Sequence, residues 1–193
     1  MDTRDDRQLV LACRRGEDYA YRVLLSRYES YIYSLCFRMT GQREDALELA
    51  QEAMVKIVMG LNSYQLNLPF KPWLRRVVIN TGINFLRRRS PDLLSLDQDI
   101  ADGLTLGDSL AADNSGNPQM RLEWMETRQA LEKAMHELPP EYRLVLTLRH
   151  QEGMSYKEIA DSIGIPVGTV KTYLFRARNR LRRMLKDVYG WEA

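Results

Sequence analysis

Residues Ser155–Arg183 read SYKEIADSIGIPVGTVKTYLFRARNRLRR, and this stretch decides the fold of the C-terminal part of the chain. Ser155 and Glu158 have the spacing of a capping box, which predicts that a short helix begins here. Gly164 and Pro166 predict a turn, after which a long basic helix follows. Two helices joined by a short turn that contains Gly, the second of them basic, predict a helix-turn-helix.

The basic helix of this motif predicts a surface suited to double-stranded DNA. With Val170 placed in the core, a rotation of about 100° per residue puts six other residues on the opposite face. These are Gly168, Thr172, Phe175, Arg176, Asn179 and Arg183. Their hydroxyl, guanidinium and amide groups suit base edges and phosphates. Phe175 either touches a thymine methyl or folds back onto the preceding helix, and a helical hairpin without a DNA role is the alternative for the whole motif.

Apolar residues recur with a helical period through most of the remaining chain. The N-terminal series cover residues 21–39, 47–61 and 70–85, and Gly41 is placed to end the first of them. A further helix is predicted over Glu141–Gln151. Strand signals are essentially absent, so the sequence predicts an all-α fold.

Composition divides this all-α chain into three parts. Residues 91–118 are rich in Asp, Ser, Gly and Asn, which predicts a flexible acidic linker. We therefore predict two small helical domains, residues 1–90 and residues 119–193, of which the second carries the helix-turn-helix.

Charge is unevenly distributed, although the net charge is only +2. Residues 69–90 contain six basic and no acidic residues, and residues 167–186 contain seven basic and no acidic residues. Residues 91–126, between them, contain eight acidic residues and one basic residue. Two basic blocks on one chain predict two separate contacts with a polyanion.

Several classes of protein are excluded by what the 193 residues contain. Two cysteines do not form a disulfide scaffold, and the Cys and His residues lack metal-ligand spacing, so we expect neither a metal nor another cofactor. Without clustered carboxylates, a phosphate loop or a nucleophile–base pair, we expect no enzyme. We also expect a cytoplasmic protein with no membrane insertion, because neither a signal peptide nor an apolar run of about 20 residues is found.

The helical segment over residues 70–89 has a polar and aromatic stripe beside its apolar face. The stripe consists of Trp73, Arg76, Asn80, Asn84 and Arg87. An aromatic plane, amides and cations suit unstacked bases and phosphates. Alternatively, Trp73 fills the edge of the domain and its polar neighbours are only solvated. Gly82 in the same helix costs about 1 kcal/mol relative to Ala, and the close approach of another backbone or of a nucleic acid is one explanation for it.

The preceding helical segment has an outer face of mixed character. This face consists of Asp45, Glu48, Leu49, Glu52, Val55 and Met59. Its acids repel nucleic acid while its apolar members gain from burial, which favours a protein–protein interface. The alternative is an ordinary amphipathic helix with a wide apolar arc.

At these residues the chain resembles the extracytoplasmic-function (ECF, group IV) sigma factors of bacterial RNA polymerase. EDALELAQEAM at residues 44–54 resembles the family's polymerase-binding helix, and FKPWLRRVVINTGINFLRRR at residues 70–89 resembles the segment that melts and reads the −10 element. Residues 138–183 resemble the domain that binds the −35 element. The resemblance implies a sigma factor that binds core RNA polymerase and promoter DNA, reads the −35 duplex and captures a flipped base of the melted −10 element.

The resemblance and the helical faces together give three sets of site residues. The set for the polymerase clamp helices is Asp45, Glu48, Leu49, Gln51, Glu52 and Val55. The −10 set is Tyr64 in the loop 62–69, then Trp73, Arg76, Val77, Asn80, Asn84, Arg87 and Arg88. The −35 set is Gly168, Thr169, Lys171, Thr172, Phe175, Arg176, Asn179 and Arg183.

Two positions depart from the family's pattern. The family often has Asp where Asn84 stands, which bears on base preference, and usually has an acid where Leu47 stands, which is expected to make that helix more buried. The resemblance further implies an anti-sigma factor as a partner, and we expect a monomer when the chain is free. The main alternative is a stand-alone helix-turn-helix regulator that binds only duplex DNA, and co-purification with core polymerase separates the two.

Overall fold

In a computed structural model the described residues are 3–89 and 130–189, the last three as backbone only, and within them the chain is helical and has no strand. The N-terminal bundle consists of α1 (Asp6–Arg14), α2 (Asp18–Thr40), α3 (Arg43–Gly60) and α4 (Phe70–Arg89). The helix-turn-helix unit consists of α5 (described over 130–136), α6 (Pro140–Leu146), α7 (Tyr156–Ile163) and α8 (Val167–Tyr189). The all-α prediction is confirmed, while the predicted linker at 91–118 lies outside the described residues.

Two local signals define the first helices of the N-terminal bundle. The side chain of Asp5 accepts a hydrogen bond from the backbone N–H of Gln8 at 2.7 Å, and the side chain of Gln8 accepts one from the backbone of Asp5. This capping box begins α1, a helix that none of the predicted apolar series covers. Gly41 ends α2 as predicted, because it adopts the left-handed conformation with φ of 74°.

Two residues of α3 lie on the opposite side of the helix from the one predicted. Leu49, placed on the outer face from the sequence, has 0% of its surface exposed, whereas Leu47, placed in the core, is 46% exposed. The reason is that α3 packs through small side chains. Ala46 and Ala53 are fully buried together with Leu49, and their size lets the neighbouring helices approach closely. Ala50, Ile57 and Leu61 of the predicted series are buried as expected, so the error is confined to Leu47 and Leu49.

Gly82 has a packing explanation within the N-terminal bundle. A Cβ at this position would lie 2.4 Å from Cε and 2.9 Å from Sδ of Met39, which belongs to α2 and is fully buried. The missing side chain therefore lets α4 pack closely on α2. Neither a nucleic acid nor another backbone is needed to explain this glycine.

The helix-turn-helix forms as its sequence predicts. The Ser155 N–H donates to the Glu158 carboxylate at 2.8 Å, and the Glu158 N–H donates to the Ser155 hydroxyl at 3.2 Å, so both bonds of the capping box are present. Gly164 ends α7 with φ of 75°. The helix predicted over Glu141–Gln151 differs in its second half, since α6 ends at Leu146 and a π-helical turn spans Thr147–Gln151.

Candidate nucleic-acid interface

The polar stripe of α4 lies on the surface of the N-terminal bundle. Arg76, Asn80 and Asn84 are exposed, while Leu74 and Val78 of the same helix are buried on its core side. The stripe therefore offers one guanidinium and two amides on a single helix face. Val77, also assigned to the −10 set, is half-buried beside them.

An aromatic cluster adjoins one end of this stripe. The Trp73 ring lies 5.1 Å from the ring of Tyr64 and 5.4 Å from that of Phe70, measured between centroids. Gly60 makes room for the indole, because a Cβ there would lie 3.0 Å from Cζ2 of Trp73. Trp73 is half-buried, so part of its ring packs at the edge of the bundle and part remains accessible.

Tyr64 does not present its ring to solvent in this structure, which corrects the expectation that it receives a base. Only 4% of the residue is exposed, and its hydroxyl donates a hydrogen bond to the carbonyl of Leu68. Burial raises the pKa of Tyr64, which keeps the phenol protonated and able to donate. Its role here is to support Trp73 and to close the loop 62–69.

The same loop is held by an arginine that the sequence analysis missed. Nε and Nη2 of Arg14, at the end of α1, donate to the carbonyl of Leu61 at 3.0 and 2.7 Å, and Nη2 also contacts the carbonyl of Tyr64. These are bonds between a charged donor and main-chain acceptors, the stronger kind of hydrogen bond. The loop beside Trp73 is therefore fixed in the absence of DNA. In the sequence, only the position of Arg14 in the last turn of an amphipathic helix could have indicated that it supports this loop.

The surface of α8 has the predicted phase. Val170, Leu174 and Ala177 are buried. The exposed members of the −35 set are Gly168, Lys171 and Arg183, and the half-buried members are Thr169, Thr172, Phe175, Arg176 and Asn179. The Thr172 hydroxyl donates to the carbonyl of Gly168 at 3.1 Å, so its oxygen lone pairs remain available to a donor on DNA.

The outer face of α3 combines exposed apolar and acidic side chains. Val55 is 58% and Met59 75% exposed, and Leu47 joins them in place of Leu49. Glu48 and Gln51 are also exposed. The face keeps the mixed character that favours a protein–protein interface, with one leucine exchanged for another.

Arginines at the end of α4 neutralise the acids of this face. Arg88 pairs with Glu52 at 2.6 Å, and Arg89 pairs with Glu48 at 2.7 Å and also with Asp45. The hydrogen bond from Arg88 lowers the pKa of Glu52. Arg88, assigned to the −10 set from the sequence, thus points toward α3 rather than along the stripe, because the carboxylates of α3 lie next to it.

Arg87 is exposed but also contacts another helix. Its guanidinium donates to the carbonyl of Ile163, the last residue of α7. The stripe it was predicted to extend faces the helix-turn-helix unit across an open cleft of about 390 Å³, lined by Arg76, Asn80, Ile83, Asn84, Asp161 and Ser162. The sequence contains no signal for this contact between residues some 75 positions apart.

Neither a metal site nor a membrane-spanning helix is found among the described residues. In residues 3–89 and 130–186, no group of three His, Cys, Asp or Glu side chains could hold a metal ion. None of the described helices is long and apolar enough to cross a membrane.

Comparison with known proteins identifies the class and then the family. Sigma-70 region 2 matches residues 24–91 and sigma-70 region 4 matches residues 128–181, which defines a sigma factor of the sigma-70 type. The chain is 33% identical over 177 residues to the ECF RNA polymerase sigma factor SigW of Bacillus subtilis (strain 168), covering 91% of this chain and 94% of that protein. It is 32% identical over 176 residues to the ECF RNA polymerase sigma-E factor of Escherichia coli (strain K12), covering 91% and 92%. The chain belongs to the ECF family of RNA polymerase sigma factors, and it is an alternative sigma factor that directs promoter-specific transcription.

A solved structure agrees with this fold. The sigma factor RpoE of Bartonella quintana, crystallised in complex with the anti-sigma factor NepR, aligns with a TM-score of 0.52 and 21% identity, over 86% of this chain and 96% of that chain. This structure confirms the fold, while the two sigma-70 regions and the relatives above confirm the family that the sequence resembles.

Proposed function

We propose that this sigma factor works through three surfaces with separate tasks. The outer face of α3 binds the clamp helices of core polymerase, the stripe of α4 with the neighbouring loop captures a flipped base of the melted −10 element, and α8 reads the −35 duplex. Polymerase performs the chemistry while this chain supplies promoter specificity and strand capture. Residues 1–90 and 119–193 are the corresponding domains, joined by an acidic linker at 91–118.

One observation carries the strand-capture role: an accessible part of Trp73 stands beside exposed amides, next to a loop fixed by Arg14. A preformed site loses little conformational entropy when a ligand binds. Unpairing a few base pairs costs a few kcal/mol, and stacking one base on an aromatic ring is worth about 1–3 kcal/mol. A base held against Trp73, with its edge hydrogen-bonded to Asn80, offsets much of the melting cost.

The role of α8 is supported by its phase and its charge. Its buried positions face the rest of the unit, so Lys171, Thr172 and Arg176 lie where a major groove can meet them. Arg is the side chain that most often makes specific contacts to guanine, and Lys contributes to phosphate binding. The half-buried Thr172 hydroxyl and Asn179 amide suit readout of the other bases.

Membership of the ECF family is the basis for the proposed localisation, oligomeric state and inhibitory partner. We propose that it acts in the cytoplasm, is a monomer when free, and is inhibited by an anti-sigma factor, as the complex of the Bartonella quintana sigma factor with NepR suggests by analogy.

Asn80→Ala tests strand capture. On a promoter mapped by run-off transcription with core polymerase, the variant is expected to reduce permanganate reactivity of the −10 thymines more than it reduces binding of the duplex. Ser30→Ala, an exposed polar-to-alanine change on α2, is the control and should leave melting unaltered. Normal melting with Asn80→Ala would refute the assigned role of that amide.

Arg176→Ala tests −35 readout. Its loss is expected to weaken binding to −35 duplex by about 1–3 kcal/mol and to relax preference at one base pair. Gel shifts with the full chain measure the affinity, and Arg22→Ala, which removes an equal charge from the exposed surface of α2, is the control. If both variants bind equally well, Arg176 does not read the −35 element.

A further inference from the structure

Helix α1 supports the loop 62–69 from outside the part of the chain that matches sigma-70 region 2. That match begins at residue 24, whereas α1 spans Asp6–Arg14. Arg14, the last residue of α1, reaches the point where α3 ends and the loop begins. The loop therefore depends on an element that lies far from it in the sequence.

The main acceptor of Arg14 is a carbonyl at the end of a helix. Leu61 is the C-cap of α3, and the carbonyls at a helix end have no donor within the helix. Nε and Nη2 of Arg14 supply donors at 3.0 and 2.7 Å, and a cation is favoured at this end of a helix. The preceding carbonyl, that of Gly60, accepts bonds from the N–H and the hydroxyl of Ser63 at 3.0 and 2.9 Å. Side chains therefore hold the start of the loop.

Packing contributes little to the position of the rest of the loop. Within residues 62–69, Tyr64 is buried, Leu66 is half-buried and the others are exposed. Arg14 also contacts the carbonyl of Tyr64, so it fixes the backbone at the residue whose ring packs into the bundle. That ring lies 5.1 Å from the ring of Trp73. A shift of the loop would therefore move the surface on which the indole rests.

Arg14 extends from a helix that is itself held in place. The buried face of α1 consists of Leu9, Val10, Ala12 and Cys13. In its first turn, the Asp6 carboxylate pairs with Arg27 at 2.6 Å and accepts a hydrogen bond from the Tyr28 hydroxyl. The Tyr28 ring lies 5.4 Å from that of Phe70, in the aromatic cluster around Trp73. Both ends of α1 are thus connected to this cluster.

We propose that Arg14 is a positioning residue for base capture: by holding the carbonyls of Leu61 and Tyr64, it keeps the loop 62–69 in the form in which a base can stack on Trp73. The support of the loop stands on the contacts above, and its effect on DNA rests on the function proposed for the stripe and the loop. Arg14 acts through the loop and does not itself touch the base.

Preorganisation of the loop explains why the effect falls on capture. A site that is competent for only a fraction of the time binds its ligand with an affinity reduced by that fraction. The loss of one hydrogen bond from a charged donor changes an equilibrium about tenfold. Duplex binding by α8 involves neither the loop nor Trp73, so it should not depend on Arg14.

Acrylamide quenching of Trp73 fluorescence in the free full-length chain tests the support of the loop. Trp124→Phe and Trp191→Phe leave Trp73 as the only tryptophan of the chain. Arg14→Gln is expected to raise the quenching constant and to shift the emission maximum to longer wavelength, because the Tyr64 ring is no longer held against the indole. Arg15→Gln is the matched control, since this exposed neighbour pairs with Glu17 at 2.8 Å, and it should leave both values unchanged.

Open-complex formation tests the link to base capture. On a promoter mapped by run-off transcription with core polymerase, Arg14→Gln should lower permanganate reactivity of the −10 thymines about tenfold, while gel shifts with the −35 duplex should show unchanged affinity. Arg14→Lys should give an intermediate loss, because one ammonium cannot bond two carbonyls as the planar guanidinium does. In a Trp73→Ala background, Arg14→Gln should have little further effect, because both changes act on the same stacking surface.

The outcomes separate the support of the loop from the proposed function. Unchanged quenching in Arg14→Gln would overturn the support, and a more accessible Trp73 with normal melting would overturn the positioning role. Equal losses of melting and of −35 binding would show that Arg14 only stabilises the fold, which also overturns the proposal. If Arg14→Gln does not fold, Arg14→Lys gives the same comparisons. Normal melting with Asn80→Ala, together with a more accessible Trp73 in Arg14→Gln, would refute strand capture and leave the support of the loop standing.

Discussion

Replacing Gly82 by Ala is expected to have opposite effects on stability in two backgrounds. In the wild-type chain the new methyl group enters a filled space, so the free energy of unfolding should fall or at best stay level. In a Met39→Val background the same methyl group has room, so the free energy of unfolding should rise. The change of sign is the prediction.

The magnitudes follow from two opposing contributions. Ala at a helix interior is favoured over Gly by about 1 kcal/mol. Against this, the Cβ would lie 2.4 Å from Cε of Met39 and 3.4 Å from Cδ2 of Leu49, both in fully buried side chains. Overpacking of this kind costs about 1–3 kcal/mol. The wild-type chain should therefore lose up to about 2 kcal/mol, and the Met39→Val chain should gain close to the 1 kcal/mol of helix propensity.

Urea unfolding of the four chains, followed by far-ultraviolet circular dichroism, gives the double-mutant cycle. Gly168→Ala is the control for helix propensity. A Cβ at that position would have no neighbouring side chain or distant backbone atom within 4 Å. Met39→Val by itself should cost less than the about 2–5 kcal/mol of a Met→Ala change. Equal stabilisation by Gly82→Ala in both backgrounds would refute the packing explanation for this glycine.

Two further predictions concern single hydrogen-bonded groups. Ser155→Ala should lower the free energy of unfolding by about 1 kcal/mol, because the capping box of α7 is lost. The control Ser26→Ala, at an exposed position, should change it by less than about 0.5 kcal/mol. Equal losses of stability for the two variants in thermal unfolding would contradict this. Glu52→Gln should cost less than about 1 kcal/mol at neutral pH, and the deficit should vanish in acid. A carboxyl whose folded-state pKa is lowered, here by Arg88, stabilises the fold above its ordinary pKa and loses that contribution as pH falls through the lowered value. If Glu52→Gln remains less stable than the wild type at a pH below both the ordinary and the lowered pKa of Glu52, the pair with Arg88 is not the source of the loss.

The parts of the fold that the sequence predicts correctly are those fixed by neighbours in the chain. The capping box of Ser155 and Glu158, the glycine that ends α7 and the phase of α8 all depend on residues within one or two turns of each other. Such signals keep their meaning in any tertiary setting, because the hydrogen bonds they make are local. The stripe of Arg76, Asn80 and Asn84 is exposed for the same reason, since its neighbours on the helix fix the buried side.

The exchange of Leu47 and Leu49 on α3 could not be predicted in this way. Its sequence offers bulky apolar residues on two sides, and only the partner helices decide which side is buried. They select Ala46, Leu49 and Ala53, a contact surface whose small members carry a weak hydrophobic signal but permit close packing. The hydrogen bonds from Arg14 to the loop 62–69 could not be predicted from the sequence either. Their acceptors are main-chain carbonyls of residues nearly fifty positions away.

The three arginines at the end of α4 form one basic block in the sequence, but in the structure they contact two different helices. Successive residues of a helix point about 100° apart, so Arg87 reaches the end of α7 while Arg88 and Arg89 reach the acids of α3. The pairs with α3 involve arginine side chains that are 57% and 48% exposed, and exposed ion pairs are worth less than about 1 kcal/mol. A phosphate or a cation of a protein partner can therefore displace either member at little cost. On the proposed function, binding of polymerase at the outer face of α3 would free these arginines for DNA, and the two proposed surfaces would share one set of charges.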